Sequence, residues 1–205
     1  MSYGTDGPQG LQPFLYLGGT WSGQQSEYSI ASGYNTSLFY GDPVYVLADG
    51  TIGRATAGAG NPITGVFVGV KYTDTDGNFV SRDYWLANTA TQGGLNAAAY
   101  VADDPLIIFN IQAKNSTGAP PTINYIAAAD INANIDLAAG AGSTRTQQSG
   151  FYADVSTLGA GATKQLKIVG FTPIPNNGPG INYNNILVVI NNNPLRSGGT
   201  GSLGV

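Results

Sequence analysis

LFYGDPVYVLADGTIGRATAGAGNPITGVFVGVKYTDTDGNFVSRDYWLAN, residues 38–88, and YVADDPLIIFNIQA, residues 100–113, repeat one local plan: a short apolar strand, a Gly- or Asp-rich turn, another apolar strand. Segments 44–48 and 51–55 flank Asp49-Gly50, a dipeptide that accepts the positive φ angles of a tight hairpin turn. Segments 64–72 and 78–86 flank Asp74-Thr75-Asp76-Gly77, a second hairpin with a longer loop. Asp104-Pro105 opens the strand 106–113, where a proline is tolerated because the first strand position can forgo its N–H donor.

The plan extends outward in both directions. Upstream, Tyr28 and Ile30, with Tyr34 at the end, mark a first strand stopped by a turn at 33–35. Downstream, residues 131–137 (INANIDL) alternate apolar and polar, the period of a half-buried strand. The Ala-rich stretch 126–130 suits one helical turn, 140–150 a loop, and 151–155, 164–171 and 185–191 further strands. About ten short strands separated by turn signals predict a mainly β fold, a single β-sandwich or barrel-like domain with little helix. That domain is expected over residues 26–191. Residues 1–25 read as an N-terminal arm that orders by docking on its own domain or a neighbour, and 192–205 as an extended C-terminal tail.

Composition narrows the function classes. Of 205 residues, 10% are charged against a usual quarter, yet 42% are hydrophobic, so low charge does not signal disorder. Thirty glycines fit a chain dense in turns. Net charge is −4 with Lys and Arg scattered singly, so no basic footprint for nucleic acid is visible. No apolar run is long enough to span a bilayer as a helix, and the first residues lack the basic and apolar regions of a secretory signal. The expectation is a protein made in soluble form, without membrane or nucleic-acid partners.

Groups for chemistry are scarce. Cysteine and histidine are both absent, which removes thiolate and imidazole ligands, the thiol nucleophile and the commonest general base. Glu27 is the sole glutamate. Asp103-Asp104 is the one adjacent carboxylate pair, but neighbours on a strand point to opposite faces, and an Asp before Pro105 caps a turn. Asp74–Asn78 resembles half a calcium loop, yet its Gly is fourth rather than sixth and Trp85 stands where a bidentate Glu is required. Gly159 to Lys164 lacks the Gly-Lys-Ser/Thr order and the following helix of a phosphate cradle. Asn35 and Asn115 sit in glycosylation-type triplets that carry no weight without a secretory signal. Phe67, Tyr72, Tyr84 and Trp85 are expected as core filling rather than a sugar platform. No enzyme, cofactor or metal is expected.

One likeness adds to this reading. Leu38-Phe39-Tyr40-Gly41-Asp42-Pro43-Val44 and Ile63-Thr64-Gly65-Val66-Phe67-Val68-Gly69-Val70 are followed by Tyr84-Trp85, Tyr100-Val101-Ala102-Asp103-Asp104-Pro105 and Phe109-Asn110-Ile111-Gln112. Val188-Val189-Ile190-Asn191-Asn192-Asn193 and Leu195-Arg196-Ser197-Gly198-Gly199-Thr200-Gly201 close the series. In this order the motifs resemble tailed-bacteriophage head decoration (cement) proteins over most of the chain. Singly they are turn-plus-strand patterns, and the order carries the likeness.

The resemblance implies a virion protein on the capsid exterior, synthesised in the host cytoplasm. It would be a homotrimer at three-fold or quasi-three-fold positions, clamping neighbouring major capsid protein subunits. It implies no catalytic residues. The expected contact elements are the N-terminal arm, with Phe14, Tyr16 and Trp21, and the tail around Leu195 and Arg196. The alternative is another virion component, a fibre or spike module binding host glycans, which would favour a repetitive shaft or an exposed aromatic groove. An Asp-based glycan hydrolase and a major shell protein rank lower, the latter because shell proteins demand a long helix and a longer chain.

Overall fold

The computed structural model describes residues 4–117 and 124–195. It is mainly β, 41% strand and 3% helix, and contains a closed five-stranded barrel with additional sheets. The barrel strands are β11 (Ile107–Lys114), β12 (Asn134–Ala138), β13 (Tyr152–Gly159), β14 (Leu166–Phe171) and β15 (Asn185–Ile190). Antiparallel pairing runs β13-β12-β14-β15-β11, and a parallel contact of Ala113 with Ala153 and Lys114 with Asp154 returns β11 to β13. Small barrels close only if strands bend, and irregular registers supply the bends between Ile168 and Gly170 and between Asn134 and Asp136.

The parallel seam uses only the last two residues of β11, leaving the same edge of its first half open. The N-terminal segment fills that gap. β1 (Gln12–Tyr16) pairs antiparallel with residues 107–110 of β11, and the short β2 (Gly19–Thr20) folds back on β1. Leu11, just before β1, is fully buried in the barrel-side core. Residues 4–25 therefore lie against their own domain and contribute two strands to its sheet.

A second sheet packs beside the barrel in the order β3-β10-β7-β5-β6: β3 (Ser26–Ile30), β10 (Ala97–Ala102), β7 (Gly65–Thr73), β5 (Pro43–Val46) and β6 (Ile52–Arg54). β8 (Phe79–Arg82) pairs with the far end of β7, and the two-residue strands β4 (Leu38–Phe39) and β9 (Tyr84–Trp85) pair with each other. Both predicted hairpins are present. Val46 faces Ile52 across Asp49-Gly50, and Thr73 faces Phe79 across the Asp74–Asn78 tip.

A bulge in β7 lets one strand serve two cores. Tyr100 pairs with Gly69 but Val101 pairs with Phe67, so Val68 is the extra residue. Val66 and the bulged Val68 itself face the barrel core with Phe109, Ile111 and Phe151. Phe67 and, beyond the bulge, Val70 both face the second core, formed with Ile30, Leu38, Val44, Ile52 and Trp85.

Two expectations need correction. The alternating stretch 131–137 forms a strand only from Asn134, because Asn132 takes a left-handed φ of 72° at the end of a 3-10 turn (Ala128–Asp130). Its polar residue Asp136 is buried rather than solvated, receiving Lys164 Nζ at 3.2 Å and the Gln165 N–H at 3.1 Å. Burial continues past residue 191. Asn192 and Asn193 are buried, with the Asn192 carbonyl accepting the Ile63 N–H at 2.9 Å.

Gln165 locks the two sheets together. Fully buried, it donates through Nε2 to the carbonyls of Thr56 (2.8 Å) and Asn61 (3.2 Å). Its Oε1 accepts the N–H groups of Gly58 (2.9 Å) and Leu137 (3.3 Å). Both amide hydrogens and both lone-pair positions are used. Gln165→Leu deprives four backbone groups of their partner at once, that of Leu137 buried and the others at least partly covered by the contact, and we expect a loss of roughly 3 kcal/mol or more in urea unfolding. A change below about 0.5 kcal/mol, the size of an ordinary surface substitution, contradicts this role.

Candidate binding surface

The carboxylates flagged by sequence are tied into structural hydrogen bonds. Asp103 accepts the hydroxyls of Ser26 (2.9 Å) and Tyr28 (2.8 Å), whereas Asp104 accepts the Leu106 N–H at 2.8 Å and caps the turn. The two point to different partners. Burial, followed by the Asp103 hydrogen bond, pushes the Tyr28 phenol up to about 12. Asp74 Oδ1 accepts the N–H groups of Asp76 (2.9 Å) and Asn78 (2.8 Å), building the hairpin tip from within. The Asn78 N–H leads the causes that hold its carboxyl below the ordinary range. Lys164, the cation of the glycine-rich segment 159–164, is paired with Asp136.

Asp154 lies buried at the end of the barrel seam. Burial pushes its carboxyl up, but hydrogen bonds from the hydroxyls and N–H groups of Ser116 and Ser156 outweigh it and leave it lowered. Among the described residues no three acidic side chains gather as a metal-binding group. Most of the aromatic set is core: Trp85 and Phe67 are buried, and the partly buried Tyr72 meets Trp85 edge-on with centroids 5.4 Å apart, whereas half-buried Tyr84 stacks on Phe39 outside both cores.

Large apolar side chains are also exposed. Phe14 is the bulged residue of β1, since Pro13 pairs with Phe109 and Leu15 with Ile108, and the bulge leaves Phe14 without a cross-strand partner. Leu17 and Leu106, 56% and 51% exposed, are neighbours, the Leu17 N–H donating to the Leu106 carbonyl at 3.1 Å. A second patch lies on the other sheet. Phe79 and Leu95, each 71% exposed, flank a groove of about 210 Å³ whose walls include Tyr72 and Thr91. The Thr91 hydroxyl donates to the Leu95 carbonyl and holds the loop that presents the leucine.

The residues expected as contacts are thus divided. Phe14 and Leu195 are exposed. Tyr16 and Trp21 are half-buried and pack against the barrel core, because β1 is part of the sheet. Arg196 lies outside the described residues. Sequence reasoning missed Leu17, Leu106, Phe79 and Leu95. The signal available was position: each lies beside a turn, where a strand's alternation no longer says which face is covered.

Asp42 sits where these parts meet. Its carbonyl accepts the Phe67 N–H at 2.9 Å, and its carboxylate accepts the Phe39 N–H at 3.0 Å. Burial pushes its carboxyl up to about 6, against the pull of Ser149, Phe39 and Arg54. No protein-family model, curated protein or solved structure matches this chain.

A folded pKa above the unfolded value means that the folded state holds the extra proton between the two. Stability contributed by Asp42 is therefore full below pH about 4 and falls until pH about 6. Asp42→Asn should remove that slope and gain up to about 3 kcal/mol at pH 7 in denaturant titrations. A variant with the parent's slope between pH 4 and 6 contradicts the assignment.

Proposed function

We propose that this chain is a non-enzymatic structural protein of a tailed-bacteriophage head. It binds the outer surface of the assembled capsid and stabilises contacts between major capsid protein subunits, as a homotrimer. The observation that carries the reading is the division of labour in the side chains. Most of the carboxylates are spent on turns and junctions, while exposed apolar residues stand on two different sheets. The ordered likeness of motifs to head decoration proteins points the same way.

The physical logic is that of a clamp. A protein that binds the assembled lattice and not its free subunits stabilises the lattice by mass action. Three protomers around one axis raise the effective concentration of each contact. Leu17 with Leu106, and Phe79 with Leu95, give each protomer two apolar contact points. A charge content of 10% keeps the desolvation cost of such contacts low.

Deleting the N-terminal segment would remove β1 from the sheet as well as any contact, so point substitutions are the cleaner test. Purified chain should co-sediment with preformed capsids of the phage that encodes it. Leu17→Ser with Leu106→Ser, or Phe79→Ser with Leu95→Ser, should weaken co-sedimentation about tenfold or more with the midpoint of thermal unfolding unchanged. Absence of capsid binding by the parent chain contradicts the function. Undiminished binding by both double variants removes these patches from it.

A further inference from the structure

A second kind of surface feature lies on the side of β7 opposite its Phe67 core. It is an open cleft of about 610 Å³ between the residues leading into β3, the bulge of β7, the end of β8 and Tyr100 of β10. That volume falls within the usual range of small-molecule sites, about 300–1,000 Å³. The bulge creates the concavity. Val68 is the extra residue, and the next position, Gly69, has no side chain where an ordinary strand residue would stand beside Tyr100. The Tyr100 ring is fixed by Lys71, whose Nζ lies 4.9 Å from the ring centroid and 2.9 Å from the Glu27 carboxylate.

The carboxylate beside this ring differs from most others in the chain. Asp42, Asp49, Asp74, Asp104 and Asp154 all accept backbone N–H groups. Among the described residues, Asp76 and Asp83 alone of the carboxylates make neither a side-chain hydrogen bond nor an ion pair. Asp76 is at a hairpin tip in solvent, whereas Asp83 lines the cleft. Gln25 and the Ser81 hydroxyl, also lining it, make no side-chain hydrogen bond either. The Arg82 guanidinium is drawn aside to Tyr84, 3.4 Å from its hydroxyl and 5.5 Å from its ring centroid.

We propose that this cleft binds a neutral oligosaccharide, stacked on Tyr100 with its hydroxyls on Gln25, Ser81 and Asp83. A sugar offers a C–H face to an aromatic ring and a fringe of hydroxyls to donors and acceptors. A carboxylate accepts those hydroxyls in charge-assisted hydrogen bonds, and an amide and a hydroxyl can both donate and accept. A free carboxylate in the cleft opposes an anion, and one carboxylate alone does not hold a metal ion. The inference is independent of the capsid reading, because it concerns the free chain.

The test is retention of the labelled full-length chain on a printed array of neutral and anionic oligosaccharides, followed by calorimetric titration of the best ligand. Ser81→Trp should abolish binding by filling the cleft. Asp83→Ala and Gln25→Ala should each raise Kd about tenfold, with unchanged unfolding midpoints because neither side chain has an internal partner. Selective retention of neutral sugars, lost in these variants, supports the site. Retention of no neutral sugar, or binding indifferent to all three substitutions, overturns it.

Discussion

The structure depends on a buried amide. Gln165 spends its whole hydrogen-bonding capacity on backbone groups of the loop 56–61 and of β12, joining the second sheet to the barrel. Its own backbone continues the junction: the N–H goes to Asp136 and the carbonyl accepts the Asn191 N–H at 2.8 Å. A loop rich in Gly and Ala has little side-chain surface with which to pack. Buried backbone groups there must be paired, and one side chain of the right length does it. A protein with few charges thus gains a specific sheet-to-sheet geometry chiefly from one neutral side chain, with the Asp136–Lys164 pair beside it.

Barrel closure sets the second constraint. Since β13 reaches only the last two residues of β11, the remaining edge would be an open template for pairing with other chains. β1 covers that edge, and its bulge at Phe14 breaks the regular ladder there. The N-terminal segment is therefore part of the fold first. Phe14 and Leu17, which project from it, and the loop residue Leu106 beside it are exposed apolar side chains and candidates for contact. The same device recurs at Val68, where one extra residue divides the cores and hollows the surface beside Tyr100. Bulges thus position both the apolar and the polar candidate surfaces.

Much of this was legible in the sequence. Asp49-Gly50 and Asp74–Gly77 announced their hairpins because the turn chemistry is local, and Asp104 announced its cap for the same reason. The β class followed from the density of such signals. The role of residues 12–16 was not legible, since pairing with β11 depends on a gap left by a strand some forty residues further on. Asp136 looked solvated because alternation reports one covered face, and here Lys164 and Gln165 cover the other. The four exposed apolar residues were hidden for a related reason: composition and periodicity predict burial, and only the assembled sheets reveal which side chains lack a partner.

A reconstruction of the native virion addresses the proposed function most directly. The account predicts density for this chain on the outer face of the capsid, at three-fold or quasi-three-fold positions. Leu17 with Leu106 or Phe79 with Leu95 should be buried against major capsid subunits. Density for the chain in a tail fibre or spike, or a capsid shell that lacks it, would contradict the account.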